Sequence, residues 1–192
     1  MKDVQYVLHL AALLHLVNPP AGLKGEYERV NVGGTSIIVD AAIRAGVKML
    51  VFFSTVAVYG NCSGQTVNEL SSTRPDTFYA RTKLKAEEIV LNARRTDGKP
   101  IGTVMRLGAV YGANVKGNYA RLAKALARGR FIPIGNGTNR RVLIYDEDVA
   151  RAALLVTQHP WTGGRLFNVT DGEFHTLREI IQAICRGLGR KP

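Results

Sequence analysis

The chain has 192 residues, 46% of them apolar, enough for one globular core or for part of a larger one. Its formal charge of +11 is dispersed: lysines and arginines alternate with acidic residues, local pairs go no further than Arg94-Arg95 and Arg140-Arg141, and no aromatic residues interleave with them, which argues against nucleic-acid and membrane partners. Two distant cysteines, Cys62 and Cys185, and four scattered histidines, His9, His15, His159 and His175, form no metal spacing, and no apolar run approaches ~20 residues, so the reading is a reduced, metal-free, cytoplasmic protein.

The first predicted element is a strand over Val4 to Leu10 (VQYVLHL), rich in β-branched and aromatic residues and read as buried on both faces. Glu26 to Gly46 comes next, with Val30, Ile37, Ile38, Ala41, Ala42 and Ala45 near helical spacing and Gly46 as a stop. Lys48 to Ser54 (KMLVFFS) is a second fully buried strand. A helix over Tyr79 to Arg95 and a strand over Ile101 to Arg106 continue the alternation. Further helices are expected over Tyr119 to Arg128, Asp146 to Gln158 and Thr176 to Gly187, the last opened by a capping-box pair, Thr176 and Glu179. Short strands are expected over Val142 to Tyr145 and Leu166 to Val169. Such alternation predicts an α/β fold, a doubly wound parallel sheet with helices on both faces.

Ligands of an open parallel sheet bind beyond the carboxyl ends of its strands, so those positions are where chemistry is sought. There stand His9-Leu10-Ala11-Ala12, then Ser54-Thr55-Val56-Ala57-Val58-Tyr59-Gly60, and Arg106-Leu107-Gly108-Ala109-Val110-Tyr111-Gly112. Tyr79 and Lys83 lie four apart at the head of a helix, on one face. A tyrosine with an ordinary pKa of about 10 needs a cation to act as a base near neutrality, and Lys83 is the cation at hand.

In this order the motifs resemble an extended short-chain dehydrogenase/reductase, the NAD-dependent epimerase/dehydratase family, and its UDP-glucose 4-epimerase-like members in particular. The resemblance rests on HLAA, on Asn31 with Gly34-Thr35 after it, on the S-T-x-x-V-Y-G stretch and on Y-x-x-x-K. It extends to the Arg-containing strand ending in V-Y-G, to Gly135-Asn136-Gly137, Arg141 and Asp148, and to Phe167-Asn168-Val169. It implies a Rossmann-like sheet from the fourth strand onward over residues 1–112, and over 113–192 a small C-terminal substrate-binding portion interleaved with the last strands. It implies NAD as cofactor, NADP not being excluded, and a nucleotide-diphosphate sugar as substrate. Thr55, Tyr79 and Lys83 are the implied catalytic residues; Leu10, Ala11, Ala12, Asn31 and Ser54, with Tyr79 and Lys83, the implied cofactor contacts. Thr55, Tyr79 and Arg141 are the implied substrate contacts, Arg141 on the phosphates. Many relatives form a homodimer through helices equivalent to 26–46 and 79–95. The bland readings are a capping Thr55, a core Tyr79, a solvated Lys83, Arg141 as a solvated charge, a helix-start Asp148 and a packing His9.

Two departures matter. Dehydratase members carry Asp-Glu after the catalytic Thr, where this chain has Val56-Ala57, so epimerisation or ketone/alcohol redox is favoured over dehydration. The G-x-x-G-x-x-G fingerprint between first strand and helix is absent, as is the residue that would read the adenosine ribose. The first strand matches the family's fourth, so two to three strand-helix units, roughly 60–70 residues at ordinary lengths, are expected to be missing in front. The expectation is therefore a fragment or degenerate copy, with rivals in a non-catalytic binding module and a steroid- or dihydroflavonol-type reductase. With no preceding strand, Val4 to Leu10 becomes a sheet edge on which Val7→Lys is the substitution that should hinder pairing.

Overall fold

The computed structural model describes residues 3–14, 20, 22–62, 64–115, 117–132 and 135–191; His15 lies outside them. In chain order the elements are β1 (Tyr6–His9), α1 (Leu23–Tyr27), a π-helical stretch (Glu28–Gly33), α2 (Gly34–Arg44), β2 (Met49–Thr55), α3 (Phe78–Leu91), β3 (Gly102–Leu107) and β4 (Ala109–Tyr111). They continue with α4 (Asn118–Ala127), β5 (Arg140–Arg141), β6 (Leu143–Tyr145), α5 (Asp146–Gln158), β7 (Leu166–Val169), β8 (His175–Thr176) and α6 (Leu177–Gly187). They fall into two compact units, Met1–Leu107 with Arg151–Val169, and Gly108–Ala150 with Thr170–Pro192.

The first unit is built on a parallel sheet in the order β1-β2-β3-β7, four strands among the described residues. Its core is set by β2, where Met49, Leu50, Val51 and Phe52 are all buried because a central parallel strand is covered on both faces. On one face Leu50, Phe52 and Val104 pack with Val39 and Ala42 of α2 and with Ala86 and Val90 of α3. On the other, Met49, Val51 and Met105 pack with Ala152, Ala153 and Val156 of α5. Helices thus lie on both sides, as the alternation predicts. Gly102 lets β3 pass under the end of α3, since a Cβ there would sit 1.8 Å from the Val90 carbonyl oxygen. Among the described residues no helix is long and apolar enough to cross a membrane.

β1 departs from the expectation of burial on both faces. Its only neighbour among the described strands is β2, so it is an edge, and Tyr6 and Leu8 are each 42% exposed. Val7 packs against the core cluster and His9 is buried. A lysine at position 7 would therefore disturb the core rather than guard the edge; Leu8 and Tyr6 are the positions on the open side.

In the second unit, β6 pairs in parallel with β4 and not with the four-stranded sheet. This differs from a single continuous sheet. β4 is three residues framed by Gly108 and Gly112, too short to show a period, and a Cβ at Gly112 would meet the Asp146 carboxylate at 2.2 Å, so that side chain would have to turn away. β5 pairs antiparallel with β8. α6 opens with the expected capping box: Thr176 accepts from the Glu179 amide and Glu179 accepts from the Thr176 amide.

Candidate active site

The site is organised by α3. Thr77 caps it, its hydroxyl accepting from the Ala80 amide at 3.1 Å, and so fixes the start of the helix two residues before Tyr79. Tyr79, Lys83 and Glu87 then recur every four residues on one face. Lys83 and Glu87 are each only 1% exposed, because this face packs on the ends of β2 and β3.

Parallel register brings Ser54 of β2 beside Arg106 of β3, and Arg106 beside Asn168 of β7. Arg106 grips Glu87 with Nη2 at 2.6 Å and Nε at 3.1 Å from both carboxylate oxygens, and the Ser54 hydroxyl donates to Glu87 Oε1. The guanidinium lies 4.8 Å over the Tyr59 ring, whose hydroxyl donates to Asn168 Oδ1 at 2.8 Å. This buried network is what sequence reasoning missed. A single arginine inside an apolar strand, and a glutamate one turn after Lys83, were the signals that could have found it.

The Lys83 ammonium sits 3.8 Å from the centroid of the Phe52 ring, a cation–π contact that supplies no hydrogen-bond acceptor. Burial draws Lys83 down to about 8, and Glu87 partly offsets this. His9 stacks on Phe52 at 5.4 Å, bonds to the Thr35 hydroxyl at 2.9 Å, and is held below its usual range by burial and then by Lys83. Burial pushes the Tyr79 phenol up to about 12, with Tyr27 adding to the rise. The expected lowering by Lys83 is therefore not what governs Tyr79 in this chain: loss of solvent outweighs it, and the ammonium is drawn to Phe52 and Glu87.

The other residues singled out in the sequence have these positions. Asn31 spends its amide on structure: Oδ1 accepts from the Leu13 amide at 2.7 Å, and Nδ2 donates to the Leu13 carbonyl and the Thr82 hydroxyl. It ties the segment after β1, with Leu10 and Ala11 exposed and Ala12 half-buried, to α3. Thr55 ends β2 and caps the short turn Val56–Tyr59, accepting from the Ala57 amide at 3.2 Å, which leaves its hydroxyl proton to donate. The Ser54 hydroxyl is committed to Glu87. Arg141 belongs to the second unit, exposed on β5 beside His175 of β8.

Lys83 has a consequence for stability. Its folded value of about 8 lies below the ordinary 10.5, so between those pH values the unfolded chain holds a proton that the folded chain has lost, and stability climbs as pH rises. Tyr79 acts oppositely above 10, where the folded chain retains its proton. The urea midpoint should rise from pH 8 to 10, by the equivalent of roughly 3 kcal/mol at most, and turn over beyond. Lys83→Met should lose the rise; an unchanged rise in that variant would show that another group titrates.

The profile of the NAD dependent epimerase/dehydratase family matches residues 1–170. The chain belongs to that family. Among similar curated proteins, it is 31% identical over 187 residues to the uncharacterised protein y4nG of Sinorhizobium fredii, covering 97% of this chain and 46% of that one. It is 26% identical over 197 residues to the UDP-glucose 4-epimerase of Vibrio cholerae, covering 99% and 59%. Among solved structures, MoeE5 in complex with UDP-glucose and NAD superposes with a TM-score of 0.87 at 31% identity, over 100% of this chain and 64% of that one. The dTDP-glucose 4,6-dehydratase DesIV of Streptomyces venezuelae, with NAD bound, gives 0.84 at 26%, over 99% and 59%. The chain thus spans about half the length of the curated relatives it matches, and its partial Rossmann-like sheet is the family's.

Proposed function

We propose that this chain forms the catalytic and sugar-binding part of an NAD-dependent nucleotide-sugar 4-epimerase or ketoreductase, with a Thr55-Tyr79-Lys83 site. The observation that carries this reading is the Tyr79-Lys83 pair, set at the carboxyl ends of the strands on a helix face otherwise closed to water. NAD is supported by the solved relatives that hold it and by the ammonium of Lys83, whose donors meet an aromatic face here and would suit the hydroxyls of a nicotinamide ribose. NADP is the alternative, since none of these residues reads the adenosine ribose. Leu10, Ala11 and Ala12 would line the cofactor after β1, with Asn31 fixing that segment from below. The cofactor, when bound, would supply a hydride acceptor and a positive charge in its oxidised form, and a hydride donor for the carbonyl carbon in its reduced form.

At neutral pH Tyr79 is protonated and Lys83 charged. In that state Tyr79 donates its proton to a sugar carbonyl oxygen, and Thr55 donates a second hydrogen bond that orients the same oxygen. In the reverse sense Tyr79 takes the proton from a sugar hydroxyl, which requires a positive charge beside the phenol to bring its value down from about 12. Lys83 supplies part of that charge. Arg141 would bind the diphosphate through its planar guanidinium. Val56 and Ala57 offer no acid or base for eliminating water, so a 4-keto or 4-hydroxy sugar is the expected product. The homodimer through helices 26–46 and 79–95 is supported by Ile37, 67% exposed on α2.

The test is calorimetric titration with NAD of the 192-residue chain and of the same chain preceded by a relative's glycine-rich strand-helix units. The isolated chain should bind weakly or not at all, because the loop amides and helix N-terminus that hold a pyrophosphate are supplied by those units. The extended chain should bind NAD and interconvert or reduce a UDP-hexose. Binding without turnover would favour the non-catalytic module; turnover of a flavonoid or steroid ketone alone would favour the reductase.

A further inference from the structure

α3 carries a third buried group beyond the Tyr79-Lys83 pair, Glu87. Glu87 is reached by Arg106 through Nε and Nη2 and by the Ser54 hydroxyl, so both its oxygens are fixed from β2 and β3. It sits one turn from Lys83 on the same face, the spacing at which two helical side chains are neighbours. Arg106 leaves Nη1 buried without a partner among the described residues, which shows that the arginine is aimed at Glu87 at some cost to its own bonding.

We propose that Glu87 is the positioning residue for Lys83: clamped by Arg106 and Ser54, it is a fixed negative charge inside the fold that keeps the Lys83 ammonium protonated without taking up its donors, which lie against the Phe52 ring. A carboxylate free to move would close on Lys83 as an ordinary ion pair and occupy those donors. Held by Arg106, it acts at a distance instead. The burial that draws Lys83 down to about 8 is offset by Glu87, and that offset keeps the lysine charged at neutral pH.

The other charged or titratable groups on this face of α3 and on the elements packed against it are few. Among the described residues they are Tyr79 on α3 itself, His9 on β1, Arg106 on β3, Tyr27 on α1 and Tyr59 in the turn after β2, while Asp40 on α2 is exposed and Glu26 on α1 is paired with Arg29; Ser54, Asn31 and Thr35 add dipoles. None of them is a second buried carboxylate. The Lys85–Glu28 ion pair lies on the exposed side of the helix. Removing Glu87 would leave Lys83 with neutral or cationic neighbours only.

The role rests on Lys83 being the working cation of the proposed reaction, but its test does not. The Lys83 side chain, labelled at Cε and assigned by its absence in Lys83→Met, is titrated by NMR in the folded chain. The native protein should give a value of about 8. In Glu87→Gln the value should fall by about one pH unit or more. Because that variant leaves Arg106 buried without an anion, the Glu87→Gln/Arg106→Gln double variant serves as well: it removes both charges, leaves no unpaired ion, and should show a fall in the same direction but smaller, since a cation facing Lys83 is lost with the carboxylate. Ser54→Ala keeps the charge and loses one hydrogen bond, so it should leave the titration in place. A folded double variant with an unchanged Lys83 titration, or a Ser54→Ala shift as large as that from removing the charge, would overturn the proposal. A fall as expected in a chain that transfers no hydride would instead sink the reaction and leave the coupling standing.

Discussion

Tyr79→Phe should lower turnover by about a thousandfold or more in any form of this protein that transfers hydride, with the fold intact by circular dichroism. The substitution deletes one oxygen, the proton donor and acceptor, from a ring that stays packed on the same helix face. Lys83→Met should have a comparable effect, since it removes the buried lysine of that face and with it the positive charge that assists the phenol. Thr55→Ala should cost less, on the order of 10- to 100-fold, because one orienting hydrogen bond is lost while the proton donor remains. The three are compared through kcat and KM separately. An effect of Tyr79→Phe confined to KM would make it a binding residue, and near-normal turnover would remove the mechanism.

The second large effect concerns association. Produced by itself, the 192-residue chain should self-associate through β1, an edge strand with no lysine, arginine, acid or proline from Val4 to Leu10 to block a new partner. Along this segment Val4, Tyr6, Leu8 and Leu10 present 37%, 42%, 42% and 59% of their surface to solvent. Covering the exposed two-fifths of Leu8 contributes roughly 1 kcal/mol, and desolvating a lysine head in its place adds a further cost. Leu8→Lys should therefore raise the concentration at which association begins by about ten- to a hundredfold, as seen by sedimentation. Tyr6→Lys should act in the same direction. A native chain that sediments as a single monomer and melts cooperatively would mean that the edge is closed in another way.

Much of this was legible from residue order alone. Lys48 to Ser54 reads as a doubly covered strand and is one, since a continuous apolar run depends little on context. The capping pair Thr176-Glu179 forms as spaced, and Tyr79 and Lys83 share a buried helix face. What escaped depends on neighbours distant in sequence. Val4 to Leu10 is the edge that the missing preceding strand implies, but its composition is that of an interior strand and hides the open face on which Tyr6 and Leu8 lie. Val142 to Tyr145 is rightly a strand, but its mate is Ala109–Tyr111, where Gly108 admits the close approach of the Val142 and Leu143 carbonyls. The Glu87–Arg106 pair bridges helix and strand and has no local pattern. The height of the Tyr79 value reflects how completely the site is closed, which no motif encodes.

The helical run from Leu23 to Arg44 contains the π-helical stretch Glu28–Gly33, which amounts to one residue more than a regular α-helix needs over that turn. Each residue of an α-helix advances the side chains by about 100°. The wide turn takes up the spare residue, so the helix before it, α1, and the helix after it, α2, keep nearly the phase of an unbroken α-helix. With it in place, Tyr27, Asn31 and Thr35 are all buried, and Thr35 donates to the Asn31 carbonyl at 2.6 Å while meeting His9. Deleting one residue from the regular turns on either side, where no wide turn takes up the change, would swing one half against the other by about a quarter turn. Either the Asn31 tie to Leu13 or the Thr35 tie to His9 would then point away from the sheet. The irregular turn thus acts as a vernier between two anchorages, and the length of this helix is far less free to drift than its sequence.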